Sequence, residues 1–421
     1  MKRAILLAAI LSLGASALQA QAVPDSSQAA GVRMGYRRPV QLRMDPFRHV
    51  LIPKWGFVIS GGIVAANNGV SINDARALEA VDDVQPSHIL NTANLLREGS
   101  GVEIDAQGQG GLYLGGPIGS KFAIGLTGQA RAYGFALVPQ EVVELLQDGN
   151  ANRADFSAAG ARGLTLVTAE AGAHAAIRLG PLGGEDGMHA TIGFGGRLIW
   201  PQWYANATAD ASSQVMLSGT TAEADVGVNV LRTEDASVGT SAGSGFAADF
   251  LLRGEWPTSG LAFEVMVANV GEVTINGLLQ ESWSLNVASS QLLEALDSLD
   301  ATDFTDVATD QNDTVKLPRI VRFTGSSWGN RILQIDLSAT LAVHDEFDTP
   351  TIVNLGTTWR FLPWLPLHAG IEMNGRQGLG FTAGIGIEAA NVLFRVYGGS
   401  LGGWLYDANG AAARVELGVF F

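Results

Sequence analysis

The groups of this 421-residue chain that could do acid–base, metal or nucleophilic chemistry include 41 carboxylates, 26 basic side chains and 6 histidines, besides its hydroxyls, with no cysteine. His49, His88, His174, His189, His344 and His368 stand far apart, without H-E-x-x-H or another compact spacing that would set two imidazoles on one metal ion. The lack of cysteine removes disulfides, thiolate metal sites and a thiol nucleophile together. His344-Asp345-Glu346 with Asp348 offers oxygen ligands for a hard cation, against the plainer reading of a solvated acidic loop. Gly183-Gly184-Glu185-Asp186-Gly187 reads as a turn, because no phosphate-cradling G-x-x-x-x-G-K-[ST] accompanies it. No G-x-S-x-G elbow occurs, and spacing alone assembles no serine, histidine and acid, so no catalytic residue, metal or cofactor is assigned. A formal charge of -15 without an evident basic patch disfavours nucleic acid as a partner.

The charges that remain have a pattern. From Val102 to Leu114, Val102, Ile104, Ala106, Gly108, Leu112 and Leu114 share one parity and Glu103, Asp105, Gln107 and Gln109 the other. A period of two puts such sets on opposite faces of a strand. Leu333 to Val343 reads the same way with Asp336 on the polar side, and the last segment sets Val415, Leu417, Val419 and Phe421 against Arg414 and Glu416. With Glu264 and Arg395, the residues Glu103, Asp105, Asp336, Arg414 and Glu416 are the candidate charges facing an enclosed lumen. There they would cross-link and hydrate the interior or select solutes by charge. Residues 23–50 carry Arg33, Arg37, Arg38, Arg43 and Arg48, which suit either a lumen plug meeting wall acids such as Glu103 and Asp105, or an exposed periplasmic tail.

These faces need elements to hold them. Lys2 and Arg3 precede an apolar run from Ala4 to Ala17, and Ala20-Gln21-Ala22 supplies a small-x-small cleavage pattern, so residues 1–22 read as a signal peptide. No later run is long and apolar enough for a membrane helix. Alternating segments of roughly ten residues are instead the mark of tilted membrane strands. Thirteen are distinct, residues near 162–180 and 212–232 add more, and an even count of 14, within 12–16, is expected. The fold predicted for residues 51–421 is therefore all-β, a closed antiparallel transmembrane β-barrel in the outer membrane of a Gram-negative bacterium. Aromatics at strand ends, Trp200, Trp203 and Tyr204 and then Trp359, Phe361 and Trp364, suit interfacial belts. Helical insertions are expected near 71–98, 138–148 and 286–300, with Val142, Leu145 and Leu146 forming the apolar face of the second. The acidic stretch from Asp297 to Asp313 reads as a loop.

Gly260-Leu261-Ala262-Phe263-Glu264-Val265-Met266-Val267-Ala268-Asn269-Val270-Gly271 and Leu365-Pro366-Leu367-His368-Ala369-Gly370, followed by Gly378-Leu379-Gly380-Phe381-Thr382-Ala383-Gly384-Ile385-Gly386, resemble outer-membrane barrels of the broad FadL-like and TraF-like group. Val138 to Asn150 is similar to an inserted helix in one branch of them. The resemblance covers most of the chain and implies a plugged 14-stranded barrel passing hydrophobic molecules. The asparagine-proline-alanine motif of the FadL-like members is absent near the N-terminus, where Gly61-Gly62-Ile63-Val64-Ala65-Ala66-Asn67-Asn68-Gly69 stands. A terminal aromatic such as Phe421 looks like the signal read by barrel-assembly machinery. The sequence thus points to a pore or transport barrel, or alternatively to a non-transporting scaffold for a secretion, conjugation or surface complex, with outer-membrane lipid around it and a periplasmic partner in the second case.

Overall fold

A computed structural model describes residues 45–50, 54–69, 71, 101–148, 155–182, 187–218, 221–233, 241–289, 305–328, 332–343, 346–374, 377–389 and 391–421. In chain order the elements are β1 (Gly56–Asn67), β2 (Val102–Ile118), β3 (Phe122–Val138), α1 (Gln140–Asp148), β4 (Asp155–Ser157), β5 (Arg162–Leu182), β6 (Met188–Ala209), β7 (Gln214–Ser218), β8 (Thr221–Thr233), β9 (Gly243–Trp256) and β10 (Leu261–Ser289). They continue as β11 (Thr305–Lys316), β12 (Arg319–Ser327), β13 (Leu333–Val343), β14 (Ile352–Leu362), β15 (Leu365–Asn374), β16 (Gly378–Ala389), β17 (Val392–Leu401) and β18 (Gly410–Phe420).

All eighteen strands lie in one sheet. Fourteen of them close a ring of antiparallel neighbours, β1-β2-β3-β5-β6-β9-β10-β12-β13-β14-β15-β16-β17-β18, and β18 pairs back onto β1 from Gly56↔Phe420 to Ala66↔Gly410. Closure leaves no free edge, which is what a backbone immersed in hydrocarbon requires. Strands β4, β7, β8 and β11 stand outside the ring as extensions, β8 and β11 pairing with the long upper part of β10. The expected count of 14 holds for the wall. The stretch from 305 to 313, expected as loop, is instead part of β11, because β10 runs to 29 residues and offers it an edge.

Side-chain phase explains the wall. In β18 burial alternates without a break, Arg414, Glu416, Gly418 and Phe420 buried and Val415, Leu417 and Val419 exposed. In β3 Phe122, Leu126 and Ala130 are exposed, while Gly125, Thr127, Gln129 and Arg131 are buried. An apolar exterior around a polar interior inverts a soluble protein, and exposed Phe57, Ile63, Leu126, Phe250, Leu252 and Ile385 make the outer face a lipid-facing one. The short connections β2–β3, β9–β10, β14–β15 and β16–β17 lie at the same end as the start of β1 and the end of β18. The longest segments, such as those joining β1 to β2 and β10 to β11, lie at the other end, the arrangement of periplasmic turns and extracellular loops. Trp256, Trp359, Phe361 and Trp364 ring the first end and Trp200 marks the second, all exposed. The barrel spans the outer membrane.

Helix is scarce. Among the described residues it consists of α1 and a 3-10 turn, Leu405–Asp407. Helix α1 sits where expected; among its described side chains Val143 is buried, and Glu141 Oε2 accepts from Ser157 N at 2.6 Å, tying the helix to β4. The expected helix at 286–300 is corrected over its first part: 286–289 finish β10, paired with β8, so the ladder overrides the helical spacing of the leucines that follow. Residues 290–300 and 72–98 lie outside the described residues, as do 1–44 with the signal peptide and most of the 23–50 segment.

Candidate functional site

The barrel is not empty at mid-height. Residues 45–50 lie inside it, and every one is buried. Asp45 shapes the turn locally, its Oδ1 accepting from Phe47 N at 3.1 Å and its carbonyl from Arg48 N at 3.3 Å. Four side chains then reach four parts of the wall. Asp45 stands 3.8 Å from the Arg322 guanidinium on β12, and Arg48 forms a two-pronged ion pair with Glu416 on β18, Nη2 to Oε2 at 2.9 Å. Phe47 meets the His174 ring of β5 edge-on at 5.3 Å, and His49 packs on Tyr113 of β2 at 4.5 Å. Phe47 and Val50 also enter an apolar cluster with Ala176, Leu251, Met266 and Ala268. Gly193 on β6 makes the seat for Phe47, since a Cβ there would lie 2.8 Å from Phe47 Cε1.

His49 is fully enclosed and its Nε2 has no hydrogen-bond partner. Burial lowers its pKa to about 3 against the attraction of Glu416, with Arg48 and Arg414 lowering it further and Asp45 opposing them. The docked imidazole is therefore neutral.

Around this turn the wall presents two charge clusters. In the first, Arg197 of β6 donates to both oxygens of Asp249 on β9 at 2.9 and 3.1 Å, to Glu170 of β5, and to Asn269 Oδ1 on β10 at 2.5 Å. Arg131 of β3 reaches Asn269 Oδ1 at 3.2 Å and Glu170 at 3.4 Å, and His174 Nε2 stands 3.0 Å from Asp249. Asn269 is placed by a bulge: its φ of 61 falls at the register shift between Val267 and Val270, and its Nδ2 donates to Pro318 O at 2.9 Å where β11 passes into β12. In the second cluster Glu416 accepts from Arg414 Nε at 3.0 Å and lies 3.5 Å from Arg395, which also holds Glu388. Arg414 reaches Ser60 Oγ at 3.2 Å on β1. Ions buried this way need several partners each, since one unpaired charge would cost several kcal/mol, on the order of 3–5.

Of the residues singled out in the sequence, Asp105, Glu264, Asp336, Arg395, Arg414 and Glu416 are buried on the inner face. Glu264 receives Arg253 Nη1 at 3.0 Å, Asp336 receives Gln334 Nε2 at 2.8 Å, and Asp105 lies 3.5 Å from Gln107 Nε2. Glu103 is half-buried at the upper end of β2, its backbone bonded to Asn68. Arg48 joins the wall at Glu416, whereas Arg33, Arg37, Arg38 and Arg43 lie outside the described residues. Arg131, Glu170, His174, Arg197, Asp249, Asn269 and Arg322 were missed. Their inward parity was available in the sequence, but the choice of partners across strands was not.

Above these clusters, towards the long loops, lies an apolar tier of Tyr133, Phe135, Leu164, Leu166, Ile199, Tyr204, Ile275, Leu278, Val315 and Phe347. At the acidic turn Glu346 Oε1 accepts from Lys316 N at 3.0 Å and Asp348 lies 3.8 Å from Arg162, so both carboxylates are engaged within the protein; His344 and Asp345 are outside the described residues. Among the described residues no group of three or more histidines and acids could hold a metal ion.

No family model matches the sequence, and no curated protein matches it. Among solved structures, the TodX deltaS2S3 mutant monoaromatic hydrocarbon channel superposes with a TM-score of 0.52 at 10% identity, covering 90% of this chain and 94% of that one. The likeness is one of fold. The Ralstonia pickettii toluene transporter TbuX gives a TM-score of 0.48 at 9% identity over 90% and 93% of the two chains, and a Pseudomonas aeruginosa FadL homologue 0.46 at 10% over 90% and 93%. The 14-stranded wall that the FadL-like resemblance implied is present in the ring of antiparallel strands.

Proposed function

We propose that the protein is a gated outer-membrane pore, closed at mid-height by residues 45–50 and opened when that turn leaves its seat. The observation that carries this is the turn itself, buried throughout and held to β2, β5, β12 and β18 at once. Ties to that many parts of a ring block a lumen in a way that a segment lying along one strand would not. The charge clusters hold the wall rigid around the seat, with Glu416 as the anchor that Arg48 must leave. The apolar tier towards the loops suits small hydrophobic cargo, in keeping with the hydrocarbon channel of the same fold. The test is planar-bilayer conductance of the refolded chain beside a deletion of residues 23–50, with liposome uptake of a small aromatic probe. Stable conductance that rises several-fold on deletion, with faster uptake, is expected. Silence from both proteins once barrel folding is verified would overturn the pore and leave the scaffold.

A further inference from the structure

The outer wall carries a feature that the lumen does not use. Where β10 leaves β12 for β11, Leu198, Ser244, Phe246, Glu272, Lys316 and Arg319 surround a cleft of about 680 Å³. It opens on the lipid side: Leu198, Phe246 and Lys316 are exposed, and Arg319 has the outward parity of exposed Phe323. The bulge at Asn269 makes it. Before the bulge the even-numbered residues of β10, Glu264, Met266 and Ala268, face inward; after it Val273 and Ile275 do, and Glu272 and Thr274 turn outward. Gly271 lets β9 approach, because a Cβ there would run into the carbonyl oxygen of Phe246.

Two cations share this cleft. Arg319 has its Nε buried with no hydrogen-bond partner, and neither its guanidinium nor the Lys316 ammonium meets an acid within ion-pair distance among the described residues. Glu272 faces Lys316 across the ladder, leaving the cleft one positive charge in excess. Height matters too. Arg319 is eight residues above Ser327 at the short-turn end, which at about 3.3 Å per residue and roughly 40° of tilt is ~20 Å along the axis. The apolar band of such barrels is about 25 Å tall, so the guanidinium lies just below the outer rim. A half-buried arginine whose buried Nε has no partner is open there to an anion from the lipid side, and its planar fork suits the oxygens of a phosphate. Leu198 and Phe246 beside it suit an acyl chain.

We propose that this cleft holds the phosphate headgroup of an anionic outer-leaflet lipid, with Arg319 and Lys316 on the phosphate and Leu198 and Phe246 along the chain. The experiment is native mass spectrometry of the full chain released from neutral detergent, with phosphatidic acid, diacylglycerol of the same acyl chains, and inorganic phosphate as probes. The wild type is expected to retain phosphatidic acid at least tenfold over diacylglycerol, and the Lys316→Gln, Arg319→Gln double variant to retain the two alike. Glu272→Gln removes the opposing charge and is expected to tighten phosphatidic acid several-fold, which keeps the test decisive if the double variant fails to fold. A wild type without preference, a folded double variant that keeps it, or a Glu272→Gln protein that binds no better overturns the site. Inorganic phosphate displacing the lipid at equal concentration overturns the lipid and leaves an ion site only.

Discussion

At the scale of single residues, His49 couples the docked turn to pH. In its seat the imidazole has a pKa of about 3, lowered chiefly by burial, whereas free in water it returns to about 6.5. The released turn therefore binds the extra proton. Docking is at full strength above pH 6.5 and weakens as pH falls towards 3, by about 2 kcal/mol at pH 5. Open probability in a planar bilayer is expected to rise between pH 7 and pH 5, and His49→Asn to flatten that rise. A wild-type conductance that falls over the same interval would contradict the assignment. Arg48 adds the second tie, and Glu416 stays compensated without it because Arg414 and Arg395 remain beside it. Arg48→Gln is accordingly expected to open the pore at pH 7 without unfolding the barrel, read as higher conductance with unchanged heat-modifiable gel mobility.

At the scale of elements, β6 and β10 shape the seat. Glycine on the inner face of β6 at 193 leaves the volume that Phe47 fills, and at 195 an added Cβ would collide with the His174 ring. Gly193→Leu puts a branched side chain where the Phe47 ring lies, so the strand keeps its pairing and the turn loses its place. The expected result is a folded barrel in which residues 45–50 become open to protease, detected as cleavage after Arg48 by trypsin that the wild type resists. Continued resistance would mean that Phe47 does not hold the turn. Strand β10 matters differently. Its bulge brings Asn269 to the Arg197 cluster inside while turning Glu272 outward, so one irregularity serves both faces of the wall.

For the whole molecule, closure is the decisive event, and β18 completes it. Phe420 points inward and is buried, but the Phe421 side chain is 73% exposed and its N–H donates to Trp55 O at 2.9 Å. Removing Phe421 costs the finished barrel one hydrogen bond, about 1 kcal/mol. If the terminal aromatic is read during assembly, its deletion lowers the amount of barrel in the outer membrane several-fold while the refolded protein melts within a few degrees of the full chain. Equal loss of both would reduce Phe421 to a structural residue.

The period of two determined the wall, because each strand in a closed membrane barrel must put apolar side chains towards lipid and polar ones inward, and that alternation is local. It marked Asp105, Glu264, Asp336, Arg395, Arg414 and Glu416 as candidates for the inner face and gave a count near 14, within 12–16, without any knowledge of register. It could not show that Arg48 meets Glu416 across 368 positions, or that Arg131, Arg197 and Asp249 converge on Asn269. Those pairings depend on stagger between neighbouring strands and on a bulge with positive φ, neither of which leaves a periodic trace. The helical spacing near residue 286 misled for a related reason: the partner strand, not local propensity, decided how far β10 would run. The sequence by itself determined which face each wall residue takes, since that follows from the backbone pleat. Only the tertiary structure decided which charges meet and that a turn from the chain's beginning sits among them, because both depend on the ring having closed.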